Sequence, residues 1–220
     1  MTTHCKLVIF DCDGVLVDSE KITMRVLTGM LNQLGLAVLE EELFKRFVGK
    51  SIAQCTAIIG GLLGRPVPDE FWSDFHLLIV SAMESSLQPV AGISETLDSL
   101  SLPYCVASNG THAKMRTTLG ITGLLPRFDG KRFSVEDVTR GKPAPDLFLH
   151  AAAAFDVAPS ACVVVEDTAT GVSAGVAAGM TVFGYAALTP AEQLLEAGAR
   201  TTFDDMTQLP SLINQHFSKQ

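Results

Sequence analysis

Two aspartates separated by a single residue follow an apolar run near the start of the chain. The run KLVIF (6–10) leads directly into Asp11, and Asp13 follows after Cys12. In an extended backbone alternate side chains share a face, so both carboxylates point to the same side. Two such charges about 4 Å apart repel each other by roughly 4 kcal/mol at an effective dielectric constant near 20. A fold that keeps this pair must compensate the repulsion or use the two groups in a reaction.

Three later motifs carry further side chains that could do chemistry. They are SNG (108–110), GKPAPD (141–146) and EDTATG (166–171), with the candidate residues Ser108, Asn109, Lys142, Glu166 and Asp167. Four carboxylates in one place require a cation, and hard oxygen ligands suit Mg²⁺. A lysine, a hydroxyl and exposed backbone N–H groups suit a phosphoryl group. One carboxylate could attack phosphorus while a second moves a proton to and from the alcohol oxygen.

The elements that must position these motifs are short, continuously apolar runs. They lie at 6–10, 103–107, 162–165 and 181–185, with a weaker run at 200–203. Continuous rather than alternating apolar runs are typical of parallel strands that are buried on both faces. Helical patterns separate the later runs, at 92–100, 111–120, 145–155 and 170–179. The sequence therefore predicts an α/β fold with a doubly wound parallel sheet, whose ligand crevice lies beyond the carboxyl ends of the strands.

Residues 19–87 break this alternation, because they contain helical patterns and no clear strand. In the first pattern, Ile22, Leu27 and Leu31 lie on one helical stripe, and Gly35 is placed to end the helix. We predict an all-helical domain at 18–87, inserted into a discontinuous α/β core formed by 1–17 and 88–220.

Composition excludes several classes of partner. The net charge of −8 argues against nucleic acid or an anionic membrane as the main partner. No apolar run reaches the length of a membrane span, and the N-terminus lacks the basic region of a signal peptide. The five cysteines show no metal-ligand spacing, which favours buried free thiols in a reducing compartment. We therefore expect a cytoplasmic protein that binds neither nucleic acid nor membrane.

Taken together, the segments DCDGVLVDSE, SNG, GKPAPD and VVVEDTATGVSAGVAAGM resemble the four signatures of the haloacid dehalogenase superfamily, in the same order. The resemblance covers essentially the whole chain. The helical insert resembles the cap domain of the β-phosphoglucomutase-like group. Each motif alone also fits a plainer structure, such as a solvated turn at 11–13 or a helix cap at Ser108 or Asp167. Their joint order favours the functional interpretation.

The resemblance implies a role for each motif residue. Asp11 would be the nucleophile and Asp13 the general acid and base. Phosphate binding would fall to Ser108, Asn109 and Lys142. The magnesium ligands would be the Asp11 carboxylate, the Asp13 backbone carbonyl and Asp167, with Glu166 either a ligand or a partner of the ligands.

In the insert, the stretch FVGKS (47–51) resembles the cap loop that selects substrate in this family. We therefore mark Arg46, Gly49 and Lys50 as candidate specificity residues, although Arg46 and Lys50 could equally be surface charges. A cationic cap loop would suit a substrate with a second anionic group, such as a phosphorylated sugar acid.

Three functions are compatible with this resemblance. The favoured one is a Mg²⁺-dependent phosphatase that acts on small phosphorylated metabolites, namely sugar or sugar-acid phosphates, as a monomer. The alternative is a β-phosphoglucomutase-like phosphosugar mutase, but Thr23 and Ile52 replace a histidine and an arginine of the mutase pattern. The third is a catalytically idle binding domain. Dehalogenases and phosphonatases are disfavoured because they lack the second aspartate.

Overall fold

Six short strands form one sheet in the computed structural model, which describes residues 4–47 and 52–218. The strands are β1 (Leu7–Phe10), β2 (Tyr104–Ser108), β3 (Arg132–Ser134), β4 (Cys162–Glu166), β5 (Thr181–Tyr185) and β6 (Thr201–Phe203). Their order across the sheet is β3-β2-β1-β4-β5-β6, and every neighbouring pair is parallel. The predicted α/β class with a doubly wound parallel sheet is confirmed.

The register of the central strands brings their carboxyl ends to one level. Phe10 of β1 lies opposite Val106 of β2 on one side and Val165 of β4 on the other. The residues that follow these three positions therefore emerge together at the same edge of the sheet. All four residues of β1 and all five of β4 are buried, as expected of strands covered on both faces.

Helices connect the strands and cover the sheet. In the part of the chain that contains the sheet they are α5 (Ile93–Ser99), α6 (His112–Ile121), α7 (Asp146–Ala154), α8 (Ala169–Ala177), α9 (Ala191–Glu196) and α10 (Leu209–Ser218). The core between helices and sheet includes Leu147 and Phe148 of α7 and Val172 of α8. Their side chains pack against β1, β2 and β4 residues such as Ile9 and Val164.

Residues Ser19–Leu87 form a compact unit, and Met1–Asp18 with Gln88–Gln220 form another. The first of these contains four helices among its described residues, α1 (Ser19–Gln33), α2 (Glu40–Phe47), α3 (Ile52–Leu63) and α4 (Phe71–Ser86). They enclose their own apolar cluster, which includes Leu27, Leu43 and Ile59. That this helical unit is a cap domain, inserted at 18–87 into the α/β core, stays a prediction.

Among the strands and α-helices of the described residues, β3, α9 and α10 lie outside the predicted set. β3 has only three residues, one of them Arg132, so it lacks the apolar run that marks the other strands. It is held in place by pairing with β2, where Ser134 lies opposite Ser108. Among the described residues, no helix is both long and apolar enough to cross a membrane.

Candidate active site

The first aspartate continues β1 beyond the end of the strand. The backbone N–H of Asp11 donates to the carbonyl of Val165 at 2.9 Å, which extends the β1–β4 ladder by one step. The Asp11 carboxylate is buried, whereas the side chain of Asp13 is 20% exposed. The two carboxylates are thus in different environments, one inside the protein and one at the surface of the site.

Lys142 is the buried cation that compensates this acidic edge. Its Nζ lies 2.5 Å from Oδ1 of Asp11, 2.6 Å from Oε1 of Glu166 and 2.8 Å from the carbonyl oxygen of Ala107. An ammonium has three N–H donors, so these three acceptors satisfy it completely. Its Nζ also lies 4.6 Å from the centre of the Phe148 ring. The GKPAPD motif identifies Lys142 as a candidate, but only the fold shows that its ammonium contacts two carboxylates.

Burial and the charge of the partner have opposing effects on the pKa values of Asp11 and Lys142. Burial raises the pKa of Asp11 to about 7, and Lys142 opposes that rise while Glu166 adds to it. Burial by itself lowers the pKa of Lys142, but its contacts with Asp11 and Glu166 outweigh this effect, and the pKa lies above its ordinary value. Lys142 is therefore charged at neutral pH, and its charge favours the ionised form of Asp11.

The side chain of Asn109 binds the backbone of Lys142. Its side-chain Nδ2 donates to the carbonyl oxygen of Lys142 at 3.1 Å, and its Oδ1 accepts from the N–H of Lys142 at 2.9 Å. Both ends of the amide are therefore occupied by the backbone of one residue. The side chain therefore fixes the segment that carries Lys142, and its second Nδ2 N–H and its backbone N–H are the groups left for a phosphate contact.

Ser108 ends β2 at the same edge of the sheet. It is buried, and its Oγ accepts a hydrogen bond from the N–H of Gly110 at 3.0 Å. The neighbouring strand supports this turn, because Oγ of Ser134 donates to the carbonyl of Gly110 at 2.8 Å. The loop after β2 is thus fixed from both sides, with the Ser108 hydroxyl directed to the end of the strand.

Glu166 is the last residue of β4 and Asp167 follows it, and the N-terminus of α8 orients the Glu166 carboxylate. Oε2 of Glu166 accepts from the hydroxyl of Thr168 at 3.0 Å and from its N–H at 3.2 Å. The same threonine caps α8 by accepting from the N–H of Gly171 at 3.1 Å. One oxygen of Glu166 is therefore bound to the helix start and the other to Lys142, and the carboxylate has a single defined orientation.

Three of these carboxylates form a group that fits a divalent cation. One oxygen each from Asp11, Glu166 and Asp167 lies within 4.8 Å of the others, and all three residues are buried. Gly14 makes this approach possible, since a Cβ at that position would overlap the Asp167 carboxylate. Gly14 also has a φ of +77°, a conformation that favours glycine. Buried oxygen donors of this kind are the set that Mg²⁺ takes.

The structure adds one cation that the sequence analysis did not single out. Nζ of Lys114, on α6, lies 2.7 Å from Oδ2 of Asp13. The two residues are 101 positions apart in the chain. The sequence signal that could have drawn attention to Lys114 is its position three residues after Thr111, which caps α6 and so places the lysine in the first turn of that helix.

The candidate specificity residues of the helical unit are only partly covered by the structure. Arg46 lies on α2 and is exposed. Gly49 and Lys50 lie outside the described residues, 4–47 and 52–218. Thr23 and Ile52, the departures from the mutase pattern, are described. The Thr23 hydroxyl donates to the carbonyl of Ser19 within α1 at 2.9 Å, and Ile52 is 64% exposed at the start of α3.

Comparison with known proteins gives consistent matches. A family model described as haloacid dehalogenase-like hydrolase matches residues 5–179. The 6-phosphogluconate phosphatase of Escherichia coli strain K12 is 35% identical over 214 residues, which cover 96% of this chain and 95% of that protein.

Two crystal structures are similar over nearly the full length. A haloacid dehalogenase-like protein of unknown function from Agrobacterium tumefaciens is 34% identical, with a TM-score of 0.92 over 96% of this chain and 99% of that chain. A HAD family hydrolase from Deinococcus radiodurans, with bound phosphate and sodium, is 29% identical, with a TM-score of 0.87 over 97% of this chain and 96% of that chain. The comparisons confirm the predicted family and enzyme class, a phosphomonoester hydrolase. The chain belongs to the haloacid dehalogenase-like hydrolase family.

Proposed function

We propose that this protein is a Mg²⁺-dependent phosphatase that hydrolyses small phosphomonoesters, namely sugar or sugar-acid phosphates, through an aspartyl-phosphate on Asp11. The observation that carries the proposal is the arrangement around one ammonium. Lys142 contacts the carboxylates of Asp11 and Glu166, at the edge of the sheet where Ser108 and Asp167 also lie. This arrangement combines a nucleophile, donors for phosphate oxygens and a set of metal ligands in one place.

Asp11 is the proposed nucleophile because of where its carboxylate is held. The backbone bond to Val165 fixes the main chain, and Lys142 fixes one carboxylate oxygen. A carboxylate oxygen attacks phosphorus, the bond between phosphorus and the alcohol oxygen breaks, and the phosphoryl group is transferred to Asp11. Because burial raises the pKa of Asp11, positive charge beside its carboxylate favours the ionised nucleophile.

Asp13 is the proposed general acid and base. It lies two residues after the nucleophile, and its side chain is partly exposed. In the first step it gives a proton to the departing alcohol oxygen. In the second step it takes a proton from the water that attacks phosphorus, which releases phosphate and restores Asp11.

The transferring phosphoryl group carries negative charge that the site must stabilise. The Ser108 hydroxyl and backbone N–H groups of the loop after β2 are proposed donors to it. Lys142, whose three N–H groups already have acceptors, would bind a phosphoryl oxygen in exchange for one of them. Asn109 contributes indirectly, since its amide holds the backbone of Lys142. A residue that keeps a donor within hydrogen-bond distance affects rate strongly without touching substrate.

The buried acidic group is the proposed magnesium site. The carboxylates of Asp11 and Asp167 would hold the ion, together with the backbone carbonyl of Asp13. Glu166 is already bound to Lys142 and Thr168, which favours a role in orienting the others. When bound, Mg²⁺ supplies charge neutralisation for the nucleophile and the phosphoryl oxygens. Phosphatases of this family generally use Mg²⁺.

Hydrolysis is proposed rather than phosphate migration within a sugar. A mutase needs groups that hold a second phosphate, and the two positions that would carry them here are Thr23 and Ile52. The Thr23 hydroxyl is bonded within its own helix, and Ile52 offers no polar group. The related phosphatase from Escherichia coli acts on 6-phosphogluconate, a phosphorylated sugar acid, which supports this substrate class. Arg46 and the cap-loop residues Gly49 and Lys50 stay candidates for selecting it.

The proposed catalytic groups all come from one chain, so we expect a monomer, which light scattering would test. The cytoplasmic location stays a prediction.

The test is an assay of phosphate release from a panel of small phosphomonoesters, with Mg²⁺ and with EDTA. We expect turnover only with Mg²⁺, and none in Asp11→Asn. Glucose 1-phosphate with a bisphosphate primer is included to detect isomerisation. Isomerisation without phosphate release would favour the mutase instead, and phosphate release by Asp11→Asn at the wild-type rate would contradict the proposed nucleophile.

A further inference from the structure

Lys114 occupies a position where a cation is unfavourable for the helix itself. Thr111 caps α6, and its side chain accepts a hydrogen bond from the N–H of Lys114, which places this lysine in the first turn. The N-terminal end of a helix carries partial positive charge, so a lysine there is disfavoured. The first turn of α6 contains no acidic residue to offset it. The ammonium is therefore stabilised from outside the helix, and one of the groups that does so is the Asp13 carboxylate.

The stem of Lys114 runs alongside the loop that ends β2. A Cβ added at Gly110 would lie 3.4 Å from Cδ of Lys114 and 3.3 Å from Oγ of Ser108. The side chain thus passes close to the proposed phosphate-binding loop before it reaches Oδ2 of Asp13 at 2.7 Å. Glycine at position 110 provides the space for this path.

The two lysines of the site differ in how firmly they are held. Only 4% of the Lys142 side chain is exposed, and three acceptors hold its ammonium between Asp11 and Glu166. The side chain of Lys114 is 45% exposed, and its contact with Asp13 is an ion pair at the surface of the site. An exposed ion pair is weak and exchanges readily for another anion.

We propose that Lys114 is a specificity-determining residue that binds an anionic group on the leaving alcohol, so that the enzyme prefers phosphorylated sugar acids over neutral sugar phosphates. The inference rests on the proposed function, in which Asp13 contacts the departing oxygen. The Lys114 ammonium contacts the same carboxylate of Asp13, so it would lie about two hydrogen-bond lengths, roughly 6 Å, from the departing oxygen. The carboxylate of a short sugar acid can reach this distance, and the lysine side chain is long enough to follow it.

The test compares two substrates that differ only at the far end of the same six-carbon chain. 6-Phosphogluconate carries a carboxylate there, and glucitol 6-phosphate carries an alcohol. Lys114→Gln removes the charge and keeps a similar length. We expect it to raise KM for 6-phosphogluconate about tenfold, the contribution of one hydrogen bond between charged groups, and to change KM for glucitol 6-phosphate less than about twofold. Lys114→Arg should restore most of the preference for the acid.

Lys6→Gln is the matched control, because it removes one exposed positive charge at the other end of β1. We expect it to leave both KM values unchanged. If Lys114→Gln weakens both substrates equally, or lowers only kcat, then Lys114 acts on Asp13 alone and the specificity proposal is wrong. Wild-type enzyme that releases phosphate from neither compound nor from the wider panel would overturn the proposed function, and this inference with it.

Discussion

Replacing Lys142 by methionine tests how the acidic edge of the sheet is held together. The change keeps the approximate length of the side chain and its contact with the Phe148 ring, but removes the ammonium from between Asp11 and Glu166. Two buried carboxylates then lose their partner. Breaking a buried ion pair by removal of one partner costs about 3–5 kcal/mol. We expect a loss at the lower end of this range at pH 7, because a carboxylic acid without its partner lowers the cost by binding a proton.

The loss must grow as the pH rises. In the wild type the pKa of Asp11 is about 7, since Lys142 opposes the effect of burial. Without Lys142 this pKa rises further, and the folded variant retains a proton that the unfolded chain has released above its ordinary carboxyl pKa of about 3.9. Stability then falls with pH, by about 1.4 kcal/mol per unit for one proton. Between pH 7 and 8.5 the difference from the wild type should increase by about 1.5 kcal/mol, because the wild type also releases part of a proton over this range.

Urea unfolding in EDTA at the two pH values measures both quantities. Lys114→Met is the matched control, since its ion pair with Asp13 is exposed and should contribute less than about 1 kcal/mol at either pH. If Lys142→Met proves too unstable to measure, a second change, Asp11→Asn, should recover stability by removing one buried charge. A loss below about 1 kcal/mol at pH 8.5, or one that shrinks as the pH rises, would refute the reasoning.

Three further predictions concern the elements around this pair. Asn109→Ala should lower the free energy of unfolding by about 1–3 kcal/mol in urea denaturation, because two hydrogen bonds to the Lys142 backbone are lost. An unchanged value would show that these two bonds do not contribute to stability. Gly171→Ala should destabilise the protein and abolish Mg²⁺-induced stabilisation in thermal melts, because its Cβ would overlap the Glu166 carboxylate. Gly29→Ala is the control, because this exposed position of α1 has open space around it, and it should stabilise the protein by up to about 1 kcal/mol. If Gly171→Ala and Gly29→Ala change the stability equally, the steric argument is wrong. None of the five thiols should react with a thiol reagent until the protein unfolds, because all are buried and burial raises the pKa of four of them. Rapid labelling of the native protein would contradict this prediction. These cysteines are Cys5, Cys12, Cys55, Cys105 and Cys162, all buried and free of disulfides.

The parts of the fold that the sequence predicts are those with a strong local signal. β1 and β4 are continuous apolar runs that end in acidic residues, so both their burial and their place beside the site follow from the pattern. β3 carries no such run, and only its pairing with β2 makes it a strand. The prediction of buried free thiols is confirmed for the same local reason, since most of the cysteines lie in or beside apolar runs.

The sequence predicts which residues form the site better than it predicts which of them contact one another. The motifs identify Asn109 and Lys142, but not that the amide of one binds the backbone of the other across 33 positions. Lys114 belongs to no motif, and its partner Asp13 is distant in the chain. Contacts of this kind depend on how loops from different strands are oriented, and spacing along the chain does not encode that orientation.

The central claim is that Asp11 carries the phosphoryl group during turnover. The most direct measurement is an acid quench of the enzyme during turnover with Mg²⁺ and a good substrate, followed by peptide mass mapping. We expect the mass of one phosphoryl group on the peptide that contains Asp11, absent without Mg²⁺ and absent in Asp11→Asn. A phosphoryl group on another residue, or an unmodified peptide together with undiminished phosphate release by Asp11→Asn, would contradict the account.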